Sequence, residues 1–233
     1  MEMKKPTLLL TGGSGMVGRN ILEHPNANNW HIISPSSNEL DLTNVEMVRT
    51  FINKNTPDIV VHAAGKVGGI QANIDNPVSF LERNLEIGRN IIMESYNGGV
   101  RKFLNLASTC MYPRAAPNPL NEKMILSGEL EPTNEGYALA KIVAMRLCQY
   151  IRLEDHTALY KTLIPCNLFG RHDNFDPKRS HLLPAIIYKI HEAKVTGKNK
   201  VEIWGDGTAR REFMYAGDLA DAVLKAASDI FSI

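Results

Sequence analysis

TLLLTGGSGMVGRNIL, residues 7–22, decides how the whole chain is read. Its consecutive leucines suit a strand covered on both faces. The apolar run breaks at Thr11, and Gly12, Gly15 and Gly18 then follow at a G-x-x-G-x-x-G spacing as a helical pattern opens. Glycines at that place let the backbone at a helix N-terminus approach a pyrophosphate. A tight strand-to-helix turn with no ligand uses the same residues, so the loop alone leaves both readings open.

The chain beyond the loop favours the dinucleotide. Apolar runs at 8–13, 31–34, 58–65, 102–108, 160–167 and 201–205 read as strands, and amphipathic stretches at 16–24, 43–54, 78–98, 135–153, 182–194 and 217–229 read as helices. Near-continuous hydrophobicity in the strands and their alternation with helices predict an α/β fold, a doubly wound parallel sheet of Rossmann-like type. Residues 1–165 are mainly the dinucleotide-binding domain. Residues 166–233 form a smaller substrate-binding lobe interleaved with the last strand and helix of the sheet. Four prolines and little periodicity mark 113–134 as a long irregular excursion from the end of a strand, where such sheets build their sites.

Bulk properties restrict the partners. With 233 residues, 22% charged, and a formal net charge of +1, the chain carries no field that draws it to nucleic acid or a membrane surface. The opening MEMKKPTLLL is too short an apolar run for a signal peptide or a membrane span, so a cytoplasmic location is expected. Cys110, Cys148 and Cys166 are too few and too scattered for a disulfide framework or a metal site, and read as free thiols.

Two further patterns bear on chemistry. Tyr137 and Lys141 are four apart, hence on one helix face, where an ammonium favours the phenolate and suits the pair to general acid or base work. Alone this spacing is mostly an amphipathic accident, but Ser108 ends a strand one strand-and-helix unit earlier, where it can meet that helix over a nicotinamide. Residues 34–38, SPSSN, follow the second strand with neither the acid that selects NAD nor the arginine that selects NADP. Asp41 is equally suited to contacting the adenine and to a cap or turn.

The loop at 11–18, HAAG at 62–65, STCMYP at 108–113 and YALAK at 137–141, in this order, resemble the extended short-chain dehydrogenase/reductase family. KVGGIQAN (66–73), LEPTNEGYALAK (130–141), IPCNLFGRHDNFDP (164–177), SHLLPA (180–185) and WGDGTARREF (204–213) are similar to its branch that epimerises and reduces GDP-4-keto-6-deoxy-sugars with NADPH. The resemblance runs over essentially the whole chain. It implies that Ser108 bonds the C4 carbonyl, that Tyr137 protonates that oxygen, and that Lys141 binds the nicotinamide ribose and lowers the tyrosine pKa. Cys110 and His181 match the acid and base that move protons at the carbons beside the ketone, a task suited to a thiol and an imidazole. Without the family pattern, Cys110 reads as a small buried hydrophobe and His181 as a helix-start residue.

For the cofactor the resemblance implies Gly12, Gly15, Met16, Val17, Asp41, Ala63, Ala64, Tyr137, Lys141, Pro165, Asn167 and Leu168. For the nucleotide sugar it implies Asn167, Leu182, Trp204 and Arg211. A guanidinium can bond pyrophosphate oxygens as a fork, although Arg211 also suits a salt bridge with Glu212, and Trp204 suits core packing. Ser14 and Ser37 stand where the family often carries arginines for the 2′-phosphate. NADP(H) is therefore carried by the resemblance, and NAD(H) remains an alternative. Family members continue through a further part of the substrate lobe, so the lobe is expected to be C-terminally incomplete. A homodimer pairing the helices at 78–98 and 135–153 is also implied. The alternatives are a C4-reductase or epimerase of a related GDP-keto-sugar such as a heptose, and a non-catalytic dinucleotide-binding sensor. Such a sensor has no use for Ser108, Cys110, Tyr137, Lys141 and His181 together.

Overall fold

The computed structural model describes residues 4–176, 180–203, 205–208 and 210–231. Leu8, Leu9 and Leu10 lie in β1 (Thr7–Thr11) and are fully buried, as a strand covered on both faces requires. The sheet adds β2 (His31–Ile33), β3 (Ile59–His62), β4 (Lys102–Leu106) and β5 (Leu159–Leu163). All pairs are parallel and the order is β2-β1-β3-β4-β5, so the strand order reverses beside β1. In such sheets ligands bind at the carboxyl ends of strands flanking that switch point.

Side-chain alternation sends successive residues to opposite layers. Leu8, Leu10, Val61 and Leu104 pack with Ile21 of α1 (Met16–Leu22) and with Leu219, Val223 and Leu224 of α7 (Ala216–Phe231). On the other face, Leu9, Val60 and Phe103 pack with Val48 and Ile52 of α2 (Val45–Asn55), Ile91 and Ile92 of α4 (Pro77–Asn97), and Ala144, Cys148 and Ile151 of α5 (Glu135–Glu154). The expected doubly wound α/β sheet is thus the observed architecture.

Three local differences from the sequence reading have physical causes. The run at 160–167 divides into β5 and β6 (Asn167–Phe169), because Pro165 between them has no N–H for the ladder. Val201–Ile203 is not a strand; Ile203 is exposed, and Gly205 and Gly207 turn the chain at φ +96° and +80°. The strand that does form there is β7 (Phe213–Tyr215), paired in parallel with β6 in a separate two-stranded sheet. Finally, α3 (Ile70–Asp75) is a six-residue helix that escaped the periodicity reading, since so short a helix shows barely more than one turn of pattern. The helix α6 (Leu182–Thr196) begins at the expected place. The excursion at 113–134 is irregular, with short 3₁₀ turns at Glu122–Met124 and Pro132–Asn134. Its Ile125 and Leu130 are pinned against Met111, Ala138 and Ile142.

Candidate active site

The glycine loop is built to bring backbone close. Gly12 has φ +77°, and a Cβ there would lie 2.7 Å from the Ala64 nitrogen. At Gly18 it would lie 2.2 Å from the Gly12 carbonyl oxygen, so the first turn of α1 packs directly on the loop. Gly15 donates its N–H to the Gly12 oxygen at 3.1 Å and starts α1 with no capping side chain. A Cβ on Gly15 would meet only that oxygen, at 3.4 Å, which leaves an open face over the N–H groups of Met16 and Val17. This cradle, beside Ala63 and Ala64 at the end of β3, fits a dinucleotide pyrophosphate.

One strand over, the chain leaving β4 turns at Ser108, whose hydroxyl accepts a long 3.5 Å bond from the Cys110 N–H. From α5 the Lys141 ammonium reaches back and donates to the Leu106 carbonyl at 3.0 Å, with its nitrogen 5.7 Å from the centroid of the Tyr137 ring. Strand end and helix thus meet as the spacing of Ser108, Tyr137 and Lys141 predicts. Lys141 is buried, and loss of hydration drives its pKa down to about 8, with the neighbouring Cys110 acting in the opposite direction. The Cys110 thiol is itself pushed up by burial, against the smaller effects of the Ser108 hydroxyl and Lys141.

Tyr137 departs from expectation. Although it keeps part of its surface exposed, desolvation pushes its pKa above the ordinary phenol value, and the neighbouring Cys110 adds to the rise. The Lys141 ammonium is instead bonded to the Leu106 carbonyl. The phenol is therefore protonated at neutral pH, the form a proton donor needs.

The other expected residues are spread around this cluster. Val17, Ala63 and Leu168 pack against one shared core. Pro165 stands between β5 and β6, and Asn167 donates from its amide to the Glu212 carbonyl at 3.0 Å across β6 and β7. His181 is exposed at the N-cap of α6, in the neighbourhood of Asp173, whose carboxyl burial pushes above the ordinary aspartate range. Leu182 follows it, half exposed. Arg211 is exposed and donates to the Arg210 carbonyl at 2.7 Å. Trp204 lies outside the described residues. Asp41 takes the turn role: its carboxylate accepts from the Thr43 N–H at 2.9 Å and the Thr43 hydroxyl at 2.8 Å, while Asn44 caps α2.

Two features escaped the sequence reading. His62, within HAAG, is buried opposite Thr11 in the β1–β3 register, and its Nδ1 lies 2.7 Å from the Thr11 hydroxyl. Burial holds its pKa down at about 3, so it stays neutral and ties the two strands beside the glycine loop. A groove of about 300 Å³ adjoins Tyr137, lined by Asn73, Ile74, Phe80, Thr133 and Asn134 among others. On the same helix as the lining residue Phe80, Asn84 accepts from the Lys66 N–H at 2.9 Å and donates to the Lys66 carbonyl at 3.0 Å. The KVGGIQAN motif was the available signal for it.

A glycine-rich cradle at the switch point of a parallel sheet, with serine, tyrosine and lysine converging at the next strand, defines an enzyme of the extended short-chain dehydrogenase/reductase class. More particularly, the chain belongs to the NAD dependent epimerase/dehydratase family, whose pattern matches residues 8–232. It is 55% identical over 216 residues to GDP-L-colitose synthase of Yersinia pseudotuberculosis, covering 93% of this chain and 70% of that one. It is 54% identical over 224 residues to GDP-L-fucose synthase of Azorhizobium caulinodans, covering 96% and 71%. A crystal structure of a GDP-L-fucose synthetase from Naegleria fowleri bound to NADP superposes with a TM-score of 0.85 at 28% identity, over 96% of this chain and 74% of that one.

Proposed function

We propose that this chain binds a nicotinamide dinucleotide and carries out the epimerisation and C4 reduction of a GDP-4-keto-6-deoxy-sugar, as a GDP-L-fucose synthase does. The observation that carries this reading is the convergence of Ser108, Cys110, Tyr137 and Lys141 beside the glycine cradle. NADP(H) is supported by the NADP-bound structural relative. When bound, it supplies the hydride.

The chain's own residues supply the rest. The Ser108 and Tyr137 hydroxyls point their donors at the C4 oxygen, stabilising negative charge as it develops there. In the epimerisation half, that stabilisation makes the hydrogens on the adjacent carbons acidic. Cys110, held protonated by burial, returns a proton to one face, and the His181 imidazole removes one from the other. In the reduction half, the Tyr137 phenol passes its proton to the C4 oxygen. Lys141 holds ribose hydroxyls. Arg211, Trp204, Leu182 and Asn167 are assigned to the nucleotide sugar.

The test is turnover of GDP-4-keto-6-deoxy-mannose with NADPH in deuterated water. Product carrying deuterium at C3 and C5 is expected, and Cys110→Ser is expected to cut the deuterium incorporation about 10²-fold or more while dinucleotide binding persists. Reduced product without deuterium would sink the epimerase half. A second reading, action on a different GDP-keto-sugar, is favoured by the 55% identity to a GDP-L-colitose synthase, and a substrate panel in the same assay separates the two.

The assembly proposed is a homodimer. Leu139, Val143, Tyr150 and Leu153 stand exposed at helical spacing along one face of α5, and Val78 is exposed in the first turn of α4. Pairing that stripe across a two-fold axis buries it on both copies at once. Light scattering is expected to give twice the 25.9 kDa chain mass; a single-chain mass would refute the pairing. No helix among the described residues is long and apolar enough to cross a membrane. A cytoplasmic location is proposed on the chemistry of the substrate.

A further inference from the structure

The helix whose N-terminus borders the glycine cradle also reaches the chain that follows β6. Asn20, in α1, and Glu23, its C-cap, are three apart and so share one face. The buried Asn20 amide donates to the Met16 carbonyl at 2.8 Å and to the Arg171 carbonyl at 3.0 Å. The Glu23 carboxylate divides its oxygens between two neighbouring residues: Oε1 lies 2.7 Å from the His172 Nε2, and Oε2 lies 3.2 Å from the Arg171 guanidinium. These contacts all fall on one turn, between Asn167 and His181.

That turn needs to be held. Gly170 has φ +150° and lies against the Tyr215 ring, where a Cβ would come within 2.8 Å. His172 has φ +66°, a left-handed conformation that residues other than glycine rarely take and that surrounding contacts have to maintain. Its side chain is only 16% exposed where it meets Glu23. For α1 itself Glu23 is a poor choice, because negative charge at the C-terminal end of a helix opposes the helix dipole. The carboxyl is nevertheless held below the ordinary glutamate value, by the His172 imidazole first, against the opposing loss of hydration, and then by Arg171. It is ionised at neutral pH, and the turn that it bridges accounts for its placement.

We propose that Glu23 is a positioning residue for the nucleotide sugar: by bridging Arg171 and His172 it fixes the turn that sets where Asn167 and His181 stand relative to the dinucleotide cradle. The inference rests on the reading above, which assigns Asn167 to the nucleotide sugar and His181 to proton removal. Glu23 touches neither substrate nor cofactor in this role and acts through the turn.

Glu23→Gln and His172→Asn test this in the full chain. Glutamine keeps an acceptor and removes the charge, while asparagine removes the imidazole and tolerates a positive φ. Each variant is expected to raise the KM of GDP-4-keto-6-deoxy-mannose about three- to tenfold, the size of a coupled contact, with a native Kd for NADPH and a native melting temperature. The double variant is expected to match Glu23→Gln alone, because both changes break one bridge. Hydrogen exchange reads the turn without turnover: the Asp173 amide, which donates to the Gly170 carbonyl at 3.3 Å, should exchange faster in both variants. Faster exchange with an unchanged KM overturns the positioning role and leaves the proposed function standing. Unchanged exchange, or losses that add in the double variant, refutes the bridge. A native chain that turns over no GDP-keto-sugar overturns the proposed function and this role with it.

Discussion

Tyr137→Phe is expected to lower the rate of C4 reduction about 10²- to 10⁴-fold, the range that one positioned proton donor contributes, with little change in affinity for dinucleotide or nucleotide sugar. The substitution removes one oxygen and leaves the ring where the Lys141 side chain passes over it. The argument for so large an effect is the protonation state. Desolvation, reinforced by Cys110, holds the phenol neutral across the physiological range, so the native enzyme always presents a proton at this place. In the proposed reaction, hydride arriving at C4 leaves an alkoxide that the Tyr137 phenol is assigned to protonate. Exchange of the hydrogens beside the ketone should fall less, because the proposed contact of Ser108 with the C4 oxygen is kept. Single-turnover measurement of NADPH oxidation alongside deuterium uptake separates the two effects. A loss under tenfold in reduction would mean that the proton comes from elsewhere and that Tyr137 only positions the substrate.

The parts of this site that were legible in the sequence are those governed by local spacing. Gly12, Gly15 and Gly18 announce a cradle because only glycine tolerates the approach to Ala64 and to the Gly12 carbonyl. Tyr137 and Lys141 announce a shared face because helical spacing does not depend on the rest of the fold. What was not legible depends on tertiary surroundings. Lysine four residues from tyrosine suggests a lowered phenol pKa, yet burial reverses the sign, and burial is not a property of spacing. VEIW alternates like a strand, while FMY, which does form one, is only three residues long and becomes a strand by pairing with β6. The bonds that Asp41 accepts from Thr43 likewise follow from the chain turning into α2.

Lys141→Met should reveal what the site costs the fold. Lys141 is 8% exposed, and its folded pKa of about 8 lies below the ordinary lysine value of 10.5. A folded pKa lowered in this way means that the unfolded chain binds more protons between the two values, so stability rises with pH across that window. Below about pH 8 the lysine is charged in both states and the whole burial cost, about 3 kcal/mol for a shift of this size, opposes folding. The methionine variant escapes that cost and loses the bond to the Leu106 carbonyl, itself a penalty of about 1–3 kcal/mol. These opposing terms partly cancel at neutral pH, so the decisive quantity is how the stability difference between native and variant chains changes with pH. From pH 7.5 to pH 10 it should move by about 2 kcal/mol in favour of the native chain, because only the native chain sheds a buried proton there. The raised thiol of Cys110 titrates in both chains and largely drops out of the comparison. Denaturant unfolding at a series of pH values reads this directly, and parallel curves would mean that Lys141 is not strained by burial. Turnover should fall about 10²-fold or more in the same variant. A buried charge that costs stability and supports turnover is the pattern expected when a site is held against the preference of the fold.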